Sequence, residues 1–109
     1  MSVSQQFGDF ISEQLSAAGD ISMRRMFGGV GIYVDGYFCA LISGVDETLY
    51  FKVDSNSRED YLKEGMSAFS PYKDKSKKMN YYEVPAHILD NRRELCLWVE
   101  KARKAAQNS

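Results

Sequence analysis

The dipeptide Asp35-Gly36 constrains the fold of this chain more than any other feature of its sequence, because it separates two runs that are typical of β-strands. In the run before it, Val30, Ile32 and Val34 occupy alternate positions. A two-residue type I′ turn requires positive φ at both of its central residues, and Asp followed by Gly meets that requirement. The sequence therefore predicts a tight β-hairpin here.

The turn also fixes which residues of the two strands lie opposite each other. On one side of the ribbon we expect three pairs: Val34 with Tyr37, Ile32 with Cys39, and Val30 with Leu41. On the other side we expect two: Tyr33 with Phe38, and Gly31 with Ala40. This second side is also apolar, since Tyr33, Phe38 and Ile42 belong to it. Antiparallel sheets commonly leave one face in water, so the pattern predicts a cover of helices, a homodimer through the sheet, or a partner protein.

Three glycines, Gly28, Gly29 and Gly31, follow Arg24 and Arg25 just before the hairpin. Glycines at this density can bind a phosphate, but a phosphate-binding loop follows a strand and opens a helix. These glycines precede a strand, and no Gly-Lys-Ser/Thr sequence accompanies them. We therefore expect them to relieve crowding, permit a β-bulge or admit a neighbouring backbone.

Apolar residues at helical spacing predict a helix at each end of the chain. The first is predicted within residues 2–20, where Gly19 followed by Asp20 is the stop signal. Its expected buried stripe is Val3, Phe7, Phe10, Ile11, Gln14, Leu15 and Ala18. The last covers residues 92–106, is capped by Asp90, and buries Leu95, Trp98, Val99, Ala102 and Ala106.

A strand over residues 48–53 and a short helix over 54–65 are expected after the hairpin. The alternation of the strand buries Leu49, Phe51 and Val53. Asp54 or Ser55 can cap the helix, and Gly65 ends it.

Two further strands are expected over residues 68–72 and 79–84, joined by a basic turn over 73–78, with a connector starting at Pro85. Short connections between strands favour antiparallel pairing. The fold class is therefore α+β: a two-layer antiparallel sheet of about five strands with an N-terminal helix, a short middle helix and a C-terminal helix. We expect one domain over residues 1–109.

The composition excludes several classes of protein. The 109 residues are 44% hydrophobic, the balance of a globular domain, and no apolar run reaches the length of a membrane helix. The N-terminus has neither the basic start nor the apolar block of a signal peptide, so we expect a cytoplasmic protein. Cys39 and Cys96 are expected to be buried free thiols. With His87 as the single histidine, we expect no metal and no cofactor.

The charges are unevenly distributed. Residues 1–72 carry five Lys and Arg against ten Asp and Glu, whereas residues 73–109 carry nine against five. A basic terminal third can contact phosphates, with tyrosines nearby to stack on bases. Its basic residues are Lys73, Lys75, Lys77, Lys78, Arg92, Arg93, Lys101, Arg103 and Lys104. Direct nucleic-acid binding is therefore an alternative function, although no sequence signature of a DNA- or RNA-binding domain is present.

Four ordered blocks resemble the TfoX/Sxy amino-terminal domain family. They are RRMFGGVGIY at 24–33, LYFKVD at 49–54, YYEVP at 81–85 and LCLWV at 95–99, and the similarity spans about residues 5–106. The resemblance implies a relationship to bacterial regulators of natural competence, which act beside a transcription activator. Those regulators carry a second, helical domain, and because this sequence ends at Ser109 we expect a stand-alone version. The family implies no catalytic residues.

These observations favour a regulatory module that acts by protein–protein contact. The candidate contact residues are Arg24, Arg25, Tyr33 and Phe38, with a second patch at Lys75, Lys77 and Lys78. Because Arg24 and Arg25 are adjacent in a strand, their side chains should point to opposite faces. We expect one to pair with Asp54, Glu59 or Asp60 and the other to lie along aromatic surface, and recognition of an acidic partner is the alternative for these arginines. An enzyme is the minor alternative, since nothing resembles a nucleophile with its base.

Overall fold

An antiparallel meander with helices on one face makes up the architecture. The computed structural model describes residues 3–26, 28–70 and 80–108. The strands are β1 (Ile21–Met26), β2 (Gly29–Val34), β3 (Tyr37–Ile42), β4 (Leu49–Lys52) and β5 (Tyr81–Glu83), and they neighbour one another in chain order. The helices are α1 (Gln5–Leu15, followed by a 3-10 turn, Ser16–Ala18), α2 (Arg58–Lys63), α3 (Ala86–Leu89) and α4 (Arg92–Gln107). The predicted α+β class, with its five strands and its first, middle and last helices, is confirmed.

The core lies between the sheet and the helices. Helix α4 crosses β3 and β4, and α1 packs against α4. The largest fully buried side chains come from both layers: Phe51, Ile11, Leu15, Ile32, Ile42, Leu95, Val34, Val99 and Cys39. Burial of these groups supplies most of the folding free energy, since a fully buried side chain of this size contributes about 1.5–3 kcal/mol.

The hairpin forms at the predicted turn. Asp35 and Gly36 have φ of 52° and 86°, as a type I′ turn requires. Val34 pairs with Tyr37, and the next pair, Tyr33 with Phe38, is also as predicted. The turn chemistry alone was therefore sufficient for the register close to the turn.

Beyond Tyr33 the predicted register is wrong by one residue. A β-bulge at this point leaves Cys39 as an extra residue, and the pairs become Ile32 with Ala40, Gly31 with Leu41, and Val30 with Ile42. The expected pairs Ile32–Cys39, Val30–Leu41 and Gly31–Ala40 do not form. A bulge places two residues of one strand opposite one of its partner, and local hydrophobic alternation does not reveal it.

The bulge changes which side chains enter the core. Cys39 and Ala40, although consecutive, are both fully buried. Ile42 is 1% exposed and lies in the core, and not on the second side where the uninterrupted register placed it. Leu41 moves to that second side instead, beside Gly31. One extra residue thus exchanges the faces of all that follows in the strand.

The glycines before the hairpin serve packing, as expected. Gly29 opens β2, and a Cβ there would collide with the carbonyl oxygen of Ile42. At Gly31 a Cβ would meet the Met26 thioether and the Phe38 ring, with Met26 Cε at 2.6 Å. Gly28, with φ of 78°, lies between β1 and β2, so these glycines do not precede a helix. The observed geometry is that of close packing in a hairpin, and a phosphate-binding loop is not formed.

The helical predictions need small corrections. Phe10 is 41% exposed, because it lies at the margin of the α1 stripe, and its ring contacts that of Phe7. Gln14 is buried as expected, and its amide donates to the carbonyl of Leu89 at 3.0 Å. The cap of α4 is Asn91 and not Asp90, since the Asn91 side chain accepts from the N–H of Glu94 at 3.1 Å.

The middle helix begins later than predicted. It starts at Arg58, and the Asp54 carboxylate accepts from the backbone N–H groups of Asn56 and Ser57 in the turn before it. Gly65, with φ of 76°, follows its end as expected. The connector after Pro85 is itself a short helix, α3.

The predicted strand over 68–72 is reduced, where it is described, to a single bridge between Ala68 and Tyr82. The basic turn over 73–78 lies outside the described residues. None of the helices in the described ranges combines the length and the apolar character needed to cross a membrane.

Candidate interaction surface

The sheet has a second face, opposite the helices, and it is lined with aromatic rings. We call this the aromatic face and define it by Tyr33, Phe38, Tyr50, Phe69 and Tyr81. Residues that lie directly opposite each other on neighbouring strands have their side chains on the same face of the sheet. The pair Tyr33–Phe38 and the pair of Lys52 with Tyr81 lie on this side, because their chain neighbours are buried in the core: Ile32, Val34, Cys39 and Phe51.

Three of the rings form a continuous row across the strands, and the other two form a separate pair. The centroids of Tyr33 and Phe38 are 5.3 Å apart, and those of Phe38 and Tyr81 are 5.8 Å apart. Tyr50 and Phe69 form a second pair at 4.8 Å. All three pairs are tilted, within the range at which aromatic rings attract each other. The aromatic face is therefore a packed layer and not a set of isolated side chains.

A cation lies over each end of this row. The Arg24 guanidinium is 5.6 Å from the centroid of Tyr33, and the Lys52 ammonium is 5.3 Å from that of Tyr81. Neither takes part in the ion pairs formed among residues 3–26, 28–70 and 80–108. Both positive charges are thus held over aromatic rings by cation–π contact.

The aromatic face differs from the core in its exposure. Tyr81 is only 4% exposed, and burial raises its pKa to about 12. Tyr33, Phe38, Tyr50 and Phe69 are half-buried. Tyr81 therefore forms the floor of the row, and the other rings remain accessible along it. Within the described ranges, the helices all contribute to the opposite layer.

The structure brings three of the four candidate contact residues together. Arg24, Tyr33 and Phe38 share the aromatic face. Arg25 points to the other side, as expected for adjacent strand positions, and donates to the Val3 carbonyl at 3.5 Å. The interpretation that one arginine lies on aromatic surface fits Arg24.

The expected ion pair of the other arginine is not formed. Of the three candidate acids, Asp60 accepts from Lys101 at 3.0 Å, and Asp54 accepts from backbone N–H groups. No carboxylate in the described part of the chain lies within ion-pair distance of Arg25. The described partner of Arg25 is therefore the Val3 carbonyl and not a carboxylate.

Sequence reasoning missed part of the face. Tyr50 and Lys52 alternate with Leu49 and Phe51, so the expected burial of that strand already placed them outward. The place of Phe69 on this face could not be predicted from alternation, because it depends on how the segment after α2 pairs with β5.

The second candidate patch, Lys75, Lys77 and Lys78, lies outside the described residues. The basic residues of α4 are described, and three of them have acidic partners. Arg92 pairs with Glu13 at 3.3 Å, Lys101 with Asp60 at 3.0 Å, and Lys104 with Glu100 at 3.5 Å. Much of the positive charge of this helix is therefore locally balanced.

The described residues do not present an activated chemical group. Burial raises the pKa of Cys39 to about 11, and it also raises the pKa of Cys96, which is only partly buried. Both thiols are therefore neutral and weakly nucleophilic at physiological pH. His87 lies in α3 and pairs at the surface with Glu64 at 2.8 Å. Groups of three or more His, Cys, Asp or Glu able to hold a metal are not found in the part of the chain that the structure describes.

A shallow hollow of about 200 Å³ lies beside α2 and α4, lined by Asp54, Asn56, Ser57, Asp60, Lys101 and Lys104. Its charged groups already have partners: Asp60 bonds to Lys101, Asp54 accepts from backbone N–H groups, and Lys104 pairs with Glu100 of α4. It is a less distinctive feature than the aromatic face.

Comparison with known proteins adds one match. The sequence model of the TfoX N-terminal domain family matches residues 13–106. The matched range begins within α1, includes all five strands and ends within α4. A search of curated proteins finds no match.

Proposed function

Because the chain belongs to the TfoX N-terminal domain family, we propose that it is a non-enzymatic regulatory module that binds a partner protein through the aromatic face. The observation that carries this proposal is the position of that face. It lies opposite the described helices, has a buried ring at Tyr81 beside four half-buried ones, and has a cation at each end of the row from Tyr33 to Tyr81.

The chemistry of the face suits recognition of a protein. Interfaces are enriched in aromatic residues and arginine, and the residues that contribute most to binding are often Tyr, Trp and Arg at a packed centre. Here Tyr33 and Phe38 supply the centre, and Arg24 and Lys52 supply flanking charge. The rings already pack against each other, so little side-chain freedom is lost when a partner covers them.

We propose a transcription activator as the partner, in line with the regulatory role implied by the family. A second copy of the chain is the competing occupant of the face. Its expected signature is a dimer at micromolar concentration that dissociates when Phe38 is replaced, whereas a partner-binding module is a monomer before it meets its partner.

Direct binding of nucleic acid is the second candidate, through the basic residues of the terminal third. The ion pairs of Arg92, Lys101 and Lys104 reduce the charge that α4 offers to phosphates. A salt-titrated DNA-binding measurement distinguishes this function, since phosphate contacts weaken steeply as salt increases.

The aromatic face can be tested by site-specific crosslinking in the native cells. A photo-reactive phenylalanine analogue is placed at Phe38, and as a matched control at Phe10, which is 41% exposed on α1. We expect position 38 to give one dominant adduct with a transcription regulator, identified by mass spectrometry. We expect position 10 to give none.

Two outcomes contradict the proposal. One is that both positions give the same adducts, which would mean that the aromatic face is not selective. The other is that position 38 gives only adducts between copies of the chain, which would make self-association the function of the face.

A further inference from the structure

The two edges of the sheet differ in whether a described segment forms hydrogen bonds with their outer backbone groups. At the β5 edge, the segment before the undescribed residues adds a partial strand: the Phe69 N–H donates to Tyr81 at 2.7 Å, and the Glu83 N–H donates to Ser67 at 3.1 Å. At the other edge, β1 pairs with β2 only, over six consecutive residues with no irregularity. No described segment bonds to the outer side of β1.

The register shows which backbone groups of β1 are free. The Asp35 N–H donates to the Asp20 carbonyl at 2.9 Å, so this pair is a hydrogen-bonded one. Bonded and non-bonded pairs alternate along an antiparallel ladder. Ser22, Arg24 and Met26 therefore bond to β2, and the N–H and C=O groups of Ile21, Met23 and Arg25 point away from the sheet.

The same strand carries two arginines without described carboxylate partners. Arg24 lies on the aromatic face and Arg25 on the opposite face, and both are exposed. Charged residues on an edge strand oppose pairing with a like-charged strand. Two copies joined through β1 would bring their arginines next to each other, which is unfavourable.

We propose that β1 accepts an extended acidic segment of the partner protein as a sixth strand. Adding a strand to an exposed edge gives affinity through backbone hydrogen bonds and specificity through alternate side chains. Two adjacent acidic residues in that segment point to opposite faces, so one meets Arg24 and the other meets Arg25. The proposal rests on the proposed function in one respect, that this chain binds a partner protein, and it assigns the chemistry of that partner.

The test uses the whole chain and a synthetic peptide. The probe is a ten-residue peptide of alternating Thr and Val with two adjacent Glu at its centre, and the matched control has Gln in place of both Glu. Binding is followed by amide chemical shifts and hydrogen exchange in NMR, with the peptide at millimolar concentration. We expect new protection of the Ile21, Met23 and Arg25 amides and no change at Ser22 or Arg24, whose N–H groups already bond to β2.

Charge variants test the acidic preference. Arg25→Glu should weaken binding of the Glu peptide by about threefold to tenfold, since an attractive cross-strand pair becomes repulsive. Arg93→Glu makes the same change of charge on the exposed surface of α4 and should alter binding less than about twofold. Met23→Pro removes an outward N–H while leaving the hydrogen bonds between β1 and β2 intact, and it should also weaken binding of the peptide.

Three results would overturn the inference: no change at these amides at millimolar peptide, equal binding of the Glu and Gln peptides, or equal perturbation of the same amides by a ten-nucleotide oligothymidylate. The aromatic face is tested separately. If position 38 still crosslinks a regulator while the peptide fails, the proposed function stands and the edge strand is not used. If the peptide binds β1 and position 38 gives no adduct, the edge is the binding site without the aromatic face.

Discussion

The two faces of the sheet both carry large apolar side chains, yet only one of them is a core. Phe51 and Phe38 are phenylalanines of adjacent strands on opposite faces. Phe51 is fully buried beneath the helices, whereas Phe38 is half-buried between Tyr33 and Tyr81. The difference comes from the helices, since α1 and α4 bring Leu15 and Leu95 against the first face.

This comparison shows that side-chain type does not decide whether a face becomes a core. The core face has aliphatic residues, small residues and the Phe51 ring, which pack against the helices. The aromatic face has rings that pack against each other at tilted angles and are flanked by cations. Within the described ranges no helix packs on this second face, and its rings are already held against each other, as a preformed binding surface requires.

The largest effect is expected from Phe51→Ala. The ring is fully buried, so its removal leaves a cavity and should cost about 3–5 kcal/mol of unfolding free energy. Urea denaturation followed by circular dichroism measures the loss. A cost below about 1 kcal/mol would mean that the helix-covered face is not the core.

High pH should destabilise the core face through Cys39. Burial raises the pKa of this thiol from its ordinary value of 9.0 to about 11, so the folded state favours the neutral form. Its contribution is fully present below pH 9 and is lost as pH rises through about 11, on the order of 2 kcal/mol. The melting temperature should fall as the pH is raised from 8 to 11, and it should fall less steeply for the Cys39→Ala variant. Burial also raises the pKa values of Tyr61 and Tyr81, which act in the same direction at higher pH, so equal slopes in both proteins would show that Cys39 is not the cause.

Substitutions at two glycines test whether a backbone neighbour yields less to an added methyl group than a side-chain neighbour does. Gly29→Ala forces a methyl group against the Ile42 carbonyl oxygen and should cost about 1–2 kcal/mol. Gly31→Ala meets the flexible end of Met26, which can move, and should cost less. Denaturation midpoints of the two variants provide the measurement. A larger loss for Gly31→Ala would show that the aromatic face is packed as rigidly as the core.

The smallest change in stability is expected from Phe38→Ala, the counterpart of Phe51→Ala. It removes ring contacts with Tyr33 and Tyr81 and should cost about 1 kcal/mol. Its effect on partner binding should be far larger than its effect on unfolding, so binding and denaturation are measured on the same preparation. If stability falls as much as for Phe51→Ala, the two faces are both structural.

Much of the fold could be predicted because the signals were local. The Asp35-Gly36 turn determined the hairpin, and the helical spacing determined α1 and α4. The alternation at Leu49 and Phe51 identified the buried side of β4. The bulge at Cys39 could not be predicted, because its benefit is the fit of two consecutive small residues in the core.

The candidate surface was predicted in part for the same reason. Tyr33 and Phe38 are cross-strand neighbours in a hairpin whose turn is visible in the sequence. Lys52 and Tyr81 join them only because β4 and β5 pair in the folded sheet. That pairing joins residues far apart in the chain, and no local pattern encodes it.

The sequence by itself determined the Asp35-Gly36 hairpin, strand β4, the first and last helices and the presence of two apolar sides in the hairpin, because turn geometry and side-chain periodicity act over a few residues. Only the tertiary structure decided which side became the core, how the bulge exchanged Leu41 and Ile42, and that Arg24 and Lys52 lie at the two ends of one aromatic row. Those outcomes depend on packing between distant segments, where volume and burial outweigh local preference.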